Sequence, residues 1–78
     1  MKKVEVYTSD TCGQCVKLKE YLKENNVGYI EYNISKDNER KKELIRLGYL
    51  SVPLTIVDEE QHILGMDTNR INELIIRK

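Results

Sequence analysis

The sequence predicts an α/β fold: a mixed four-stranded sheet with three helices in the order β-α-β-α-β-β-α. Three observations predict it. Short runs rich in Val, Ile and Tyr alternate with stretches that carry apolar residues at helical spacing. Leu54-Thr55-Ile56-Val57 returns through a short polar turn to His62-Ile63-Leu64, the pattern of an antiparallel hairpin. The first strand, helix and strand form a right-handed crossover unit. Both strand pairs need helices over their apolar faces, so the compact solution covers the sheet on both sides.

Taken in order, Val4 and Val6 alternate with Glu5, and Tyr7 adjoins them, which predicts a strand over about residues 2–7. Thr8-Ser9-Asp10-Thr11 is a polar loop with several helix-capping residues. Cys15, Leu18, Tyr21 and Leu22 then recur at helical spacing, with Lys17, Lys19, Lys23 and Glu24 at the more exposed positions, until Asn25-Asn26 ends the helix. Val27 to Ile34, with Tyr29, Ile30 and Tyr32, predicts the second strand. Ser35 or Asp37 caps a helix running to about Leu47, with Leu44, Ile45 and Leu47 as its apolar positions. Gly48 suits the left-handed position after its end. Gly65 breaks the hairpin, and Asp67 or Thr68 caps a last helix carrying Ile71, Leu74 and Ile75.

The chain has 78 residues, which predicts one domain over residues 1–78. Hydrophobic residues make up 40% and charged residues 33%, a globular and not a disordered balance. With no Trp and no Phe, the core rests on Ile, Leu and Val. Thirteen basic residues balance 13 acidic ones, so there is no electrostatic case for nucleic acid or an anionic membrane as partner. The longest uncharged stretch, Leu47 to Val57, is too short to span a bilayer. No apolar run of signal-peptide type follows Met1-Lys2-Lys3, which predicts a cytoplasmic protein.

Both cysteines fall in one tetrapeptide, Cys12-Gly13-Gln14-Cys15. A disulfide between them closes a tiny loop and restrains the unfolded chain little, unlike the long-range staples of a secreted scaffold. Their place, after a strand and at a helix start, favours redox chemistry. Cys12 lies near unpaired first-turn amides, whose donors and positive end favour a thiolate, so it is the expected nucleophile. Cys15, one turn on and facing inward, is placed to attack the Cys12 sulfur and release a mixed disulfide. Gly13 and Gln14 leave the first-turn amides free, and the polar Gln14 can help read a partner. Asp10 opposes the thiolate if it faces Cys12. Two other readings stand beside this one: two inert buried cysteines, or half of a metal site. Zinc needs four ligands; His62 is the only histidine, and no metal ligand is assigned. A dimer pooling two cysteine pairs would hold zinc or an iron–sulfur cluster, and an interaction module without turnover is a further alternative.

Pro53 stands at the start of the third strand, where a missing amide is tolerated. It serves either to end the preceding loop or as a cis proline beside the thiols. In the second role Val52 offers its backbone N–H and C=O to an extended peptide or a thiol cofactor. Gly65-Met66-Asp67-Thr68 reads equally as a glycine turn with an N-cap and as a grip for an α-amino acid end. Tyr7, ending the first strand, is placed either in the groove or in the core. His62 reads as structural or surface-facing and not as a catalytic base, and Arg40-Lys41-Lys42 forms a solvated face countered by Glu39 and Glu43.

Cys12-Gly13-Gln14-Cys15, Ser51-Val52-Pro53 and Gly65-Met66-Asp67, in that order, resemble a glutaredoxin-type member of the thioredoxin fold superfamily. The likeness covers essentially the whole chain. It implies a monomeric thiol–disulfide oxidoreductase with Cys12 attacking and Cys15 resolving, and with Pro53 cis. It implies a groove of Tyr7, Gly13, Gln14, Val52, Pro53, Gly65, Asp67 and Thr68. No tightly bound cofactor is implied; glutathione is a co-substrate, and disulfide-bearing proteins are the substrates. The electron donor is glutathione or thioredoxin reductase. Glutaredoxins commonly carry Pro and Tyr where Gly13 and Gln14 stand, Lys at the position of Ser9, and a basic or amide residue at that of Leu50. Gln14 instead resembles the redoxins that reduce ribonucleotide reductase, although their aromatic-rich segment before the last helix is absent.

Overall fold

The computed structural model describes residues 3–76. Its elements are β1 (Val4–Thr8), α1 (Gly13–Glu24), β2 (Ile30–Asn33), α2 (Asn38–Arg46), β3 (Leu54–Val57), β4 (Gln61–Leu64) and α3 (Thr68–Ile71), the last continued by a π-helical turn over Asn72–Ile76. This is the expected order. The expected start of β1 at Lys2 lies outside the described residues, and the strand runs on through Thr8.

The sheet order is β2-β1-β3-β4, with β1 and β2 parallel and the other two pairs antiparallel. The parallel pair follows from the crossover through α1, and the outer antiparallel pair from the hairpin. At the hairpin tip Asp58 and Glu59 both have positive φ (52° and 63°), as primed hairpin turns require.

Alternation along β1 divides the core. Val4 and Val6 pack with Leu18 and Leu22 of α1, Val57, Ile63 and Ile71. Tyr7 points the other way and packs with Leu44 of α2, Leu54 and Ile56. Successive strand residues face opposite sides, so β1 serves both layers.

Asp37 is the cap of α2, with its carboxylate accepting from the Glu39 and Arg40 amides at 3.1 and 3.3 Å. Gly48 follows that helix with φ 95°, the left-handed conformation expected of it. The apolar stripe of α2 is narrower than expected. Leu44 is buried, while Ile45 is 50% and Leu47 41% exposed. The helix has only nine residues, and Leu47 already stands at its C-cap, so Leu44 is its one buried residue.

Candidate active site

The β1–α1 junction brings the thiols to one end of the sheet. Cys12 is the N-cap of α1, with extended backbone (φ −95°, ψ 104°). Its sulfur receives the Cys15 N–H at 3.1 Å, a bond that an ordinary Ser or Asp cap makes with oxygen. Cys12 and Cys15 are joined as a disulfide with Cα atoms 5.3 Å apart. Cys12 is half-buried, whereas Cys15 is 1% exposed and shares the inward stripe of Leu18 and Leu22.

Three further segments meet this disulfide. The Val52–Pro53 peptide is cis, and the Val52 carbonyl oxygen lies 3.7 Å from Cys12 Sγ. The Gly65 N–H donates to the Pro53 carbonyl at 2.8 Å, tying the end of β4 to that loop. Gly65 has φ 77°, and a Cβ built there would lie 3.8 Å from Gln14 Oε1. Cys12, Gln14, Val52 and Gly65 therefore meet at one surface, while the side chain of Pro53, expected in the groove, is buried. The space over Gly13 is open, with no atom within 4 Å of a Cβ added there.

Asp67 and Thr68 follow Gly65 in the chain, at the start of α3. The Asp67 carboxylate accepts from the Arg70 N–H at 3.2 Å and so caps its own helix. No hydrogen bond among the described residues joins Asp67 or Thr68 to the disulfide. Tyr7 is not part of the surface. Strand alternation turns it toward α2, where it is 2% exposed and 5.2 Å, ring to ring, from Tyr32. Burial, the largest influence, raises the Tyr7 hydroxyl above its ordinary pKa of 10.0. Its reading as a groove residue is corrected to that of a core residue. Asp10 is drawn away as well: its carboxylate accepts from Asn33 Nδ2 at 2.8 Å, and its N–H donates to Ser35 Oγ at 3.1 Å.

Some residues carry no signal in the sequence. Thr8, the last residue of β1, is 1% exposed and donates its hydroxyl proton to Glu31 Oε2 at 2.6 Å. Lys19 Nζ of α1 reaches the same oxygen at 3.1 Å. The Thr8 hydrogen bond, foremost, and Lys19 lower the Glu31 pKa against the opposing effect of burial. β1, β2 and α1 are thus pinned together just before the loop that carries Cys12. Arg40 is more than a solvated charge: its guanidinium lies 3.9 Å over the Tyr32 ring while pairing with Glu43 at 3.1 Å. His62 Nδ1 lies 2.9 Å from the Tyr49 hydroxyl, in keeping with a structural role.

The family model for glutaredoxin matches residues 4–63, a span that contains the disulfide and the cis-proline loop. The chain belongs to the glutaredoxin family. Glutaredoxin 3 of Escherichia coli strain K12 is 37% identical over 68 residues, covering 86% of this chain and 81% of that protein. The glutaredoxin-like protein NrdH of Lactococcus lactis subsp. cremoris is 30% identical over 56 residues, covering 72% and 78%. The crystal structure of the thioredoxin-like protein BC3987 superposes with TM-score 0.85 at 35% identity, covering 94% of this chain and 100% of that one. This glutaredoxin-family protein is a thiol–disulfide oxidoreductase, and Cys12–Cys15 is its redox centre. Among the described residues, no group of three or more His, Cys, Asp or Glu is arranged to hold a metal ion, and no helix is long and apolar enough to cross a membrane.

Proposed function

We propose that Cys12 is the attacking thiol and Cys15 the resolving thiol of a protein-disulfide reductase. The contrast in exposure carries this reading: an incoming disulfide can reach the half-buried Cys12 sulfur but not Cys15, which is 1% exposed. In the dithiol form the Cys15 N–H and the start of α1 favour negative charge on Cys12. The Cys12 thiolate attacks one sulfur of the substrate disulfide and expels the other as a thiolate. Cys15, as a thiolate, then attacks Cys12 Sγ, expels the second substrate thiolate and leaves the Cys12–Cys15 bond. The two substrate thiolates take up the protons the dithiol has lost. The Val52 carbonyl, beside Cys12 Sγ, is the backbone contact for the bound substrate segment, with Gln14 and Gly65 flanking it.

For the electron donor, the rim favours a flavoprotein thioredoxin reductase over glutathione. Leu50 is 87% exposed, an apolar side chain where the glutaredoxin resemblance expects a basic or amide group, and Ser9 replaces a lysine. Neither can form an ion pair with a glycine carboxylate. Gln14 and the relation to NrdH-type redoxins support the same donor. Glutathione is the second reading. It is favoured by Gly65, Asp67 and Thr68 standing where the resemblance puts the γ-glutamyl grip, and by the likeness to glutaredoxin 3. We further take residues 1–78 as one monomeric domain acting in the cytoplasm, where thiols are kept reduced.

Side-by-side assays separate the donors. Turnover of a protein disulfide with NADPH and thioredoxin reductase should exceed turnover with glutathione and glutathione reductase. Faster turnover with glutathione would overturn the choice of donor and leave the roles of the cysteines standing.

A further inference from the structure

Asp10 stands two residues before Cys12, so their Cα atoms are at most about 7 Å apart. No ion pair among the described residues gives its carboxylate a cation. Turned toward Cys12, that carboxylate would oppose the thiolate. The structure ties it elsewhere. Among the described residues its one hydrogen-bond donor is the neutral Asn33 amide, with Nδ2 at 2.8 Å from Oδ1. Asn33 is the last residue of β2. The Ser35 N–H donates to Asn33 Oδ1 at 2.9 Å, which fixes the amide with its Nδ2 toward Asp10. The backbone is held by the same segment: the Asp10 N–H donates to Ser35 Oγ at 3.1 Å, and the Ile34 N–H to the Thr8 carbonyl at 2.8 Å. The Cys12 sulfur goes to the other flank. β2 and β3 lie on opposite sides of β1, and Cys12 Sγ lies 3.7 Å from the carbonyl oxygen of Val52, in the loop that leads into β3.

We propose that Asn33 is a positioning residue for the attacking thiol: it holds the Asp10 carboxylate on the β2 flank of the loop and so keeps that charge from opposing the Cys12 thiolate. The proposal rests on the reading of Cys12 as the attacking thiol. Asn33 acts only through Asp10, since its side chain bonds to Asp10 and Ser35 and not to Cys12. The Cys12 sulfur meets the Cys15 N–H and the Val52 carbonyl, and no hydrogen bond or ion pair among the described residues brings a charged side chain to it. Asp10 is the carboxylate nearest to it in sequence. Without the Asn33 amide, the Asp10 side chain is free to rotate and to face the sulfur. Both groups reach water, so the repulsion is modest, about a threefold loss of thiolate at neutral pH.

The test follows alkylation of the reduced protein by iodoacetamide as a function of pH, with the modified cysteine identified by peptide mass spectrometry. Asn33→Ala should move the Cys12 midpoint up by about half a pH unit, the same threefold loss of thiolate. Adding Asp10→Asn to that variant removes the charge and should return the midpoint to the wild-type value, which a merely loosened loop would not do. Asp10→Asn alone should move the midpoint far less than Asn33→Ala does. The Asn33→Ala shift should also shrink in about 1 M salt, where charges are screened within about 3 Å. An unmoved midpoint in Asn33→Ala, a shift that persists in the double variant or in salt, or an equal and opposite shift in Asp10→Asn would overturn the proposal. Alkylation of Cys15 with Cys12 left unmodified in the wild type is a separate outcome. It would overturn the reading of Cys12 on which the proposal rests, whatever the midpoints of the variants.

Discussion

Replacing Thr8 with valine removes one hydroxyl and keeps the side-chain shape. The structure gives that hydroxyl one partner, the Glu31 carboxylate at 2.6 Å. A hydrogen bond to a charged group contributes about 1.5–3 kcal/mol when it is fully desolvated. Here the Glu31 side chain is 32% exposed and keeps Lys19 at 3.1 Å, so water and the ammonium recover part of the loss. The expected cost at about pH 7 is therefore ~1 kcal/mol, a fall in Tm of about 4–8 °C for a domain of this size. Acid supplies the control. The Glu31 pKa is lowered from its ordinary 4.5, first by the Thr8 bond. A lowered carboxylate pKa adds stability that is fully present above the unfolded value and is lost as pH falls through the folded one. Urea unfolding of wild type and Thr8→Val should thus differ most near neutrality. The two curves should converge as pH drops below about 4.5, once Glu31 is protonated in both. An equal difference at about pH 7 and at about pH 3 would refute the charge-assisted origin of the bond.

Other outcomes follow from the same geometry. Asp37→Ala removes the acceptor of two first-turn amides of α2 and should cost about 1 kcal/mol in urea unfolding. Leu18→Ala empties a fully buried position under α1 and should cost about 2–5 kcal/mol by the same measurement. Leu50→Arg places a guanidinium on the exposed rim and should lower KM in the glutathione-coupled assay severalfold while leaving Tm within about 2 °C of wild type.

Periodicity and turn chemistry made most of the fold legible in the sequence. Alternation at Val4 and Val6, the apolar β3 run and the capping residues Asp37 and Asp67 foretold elements that the structure contains. Proximity was legible only where the chain itself supplied it. Cys12 and Cys15 are one helical turn apart, so their meeting required no tertiary knowledge. The approach of Val52 to Cys12 was one of two roles open to Pro53, because those residues are 40 positions apart and no local pattern decides between the roles. The Thr8–Glu31–Lys19 cluster was invisible, since it joins three elements and has no local pattern. Tyr7 was misplaced because closeness in sequence to the thiols says nothing about which sheet face a strand residue occupies. The parity of β1 decides that, and it sends Tyr7 to α2. Asp10 had two orientations until Asn33 and Ser35 fixed its place.

The division of labour between the thiols is tested most directly by trapping the intermediate. Reduced Cys15→Ser protein is mixed with a disulfide-bonded protein substrate, and the product is mapped by intact-mass and peptide mass spectrometry. A stable mixed disulfide carried on Cys12 is predicted, with no such adduct and no turnover for Cys12→Ser. An adduct on Cys15 in the Cys12→Ser protein, together with continued turnover, would contradict the account.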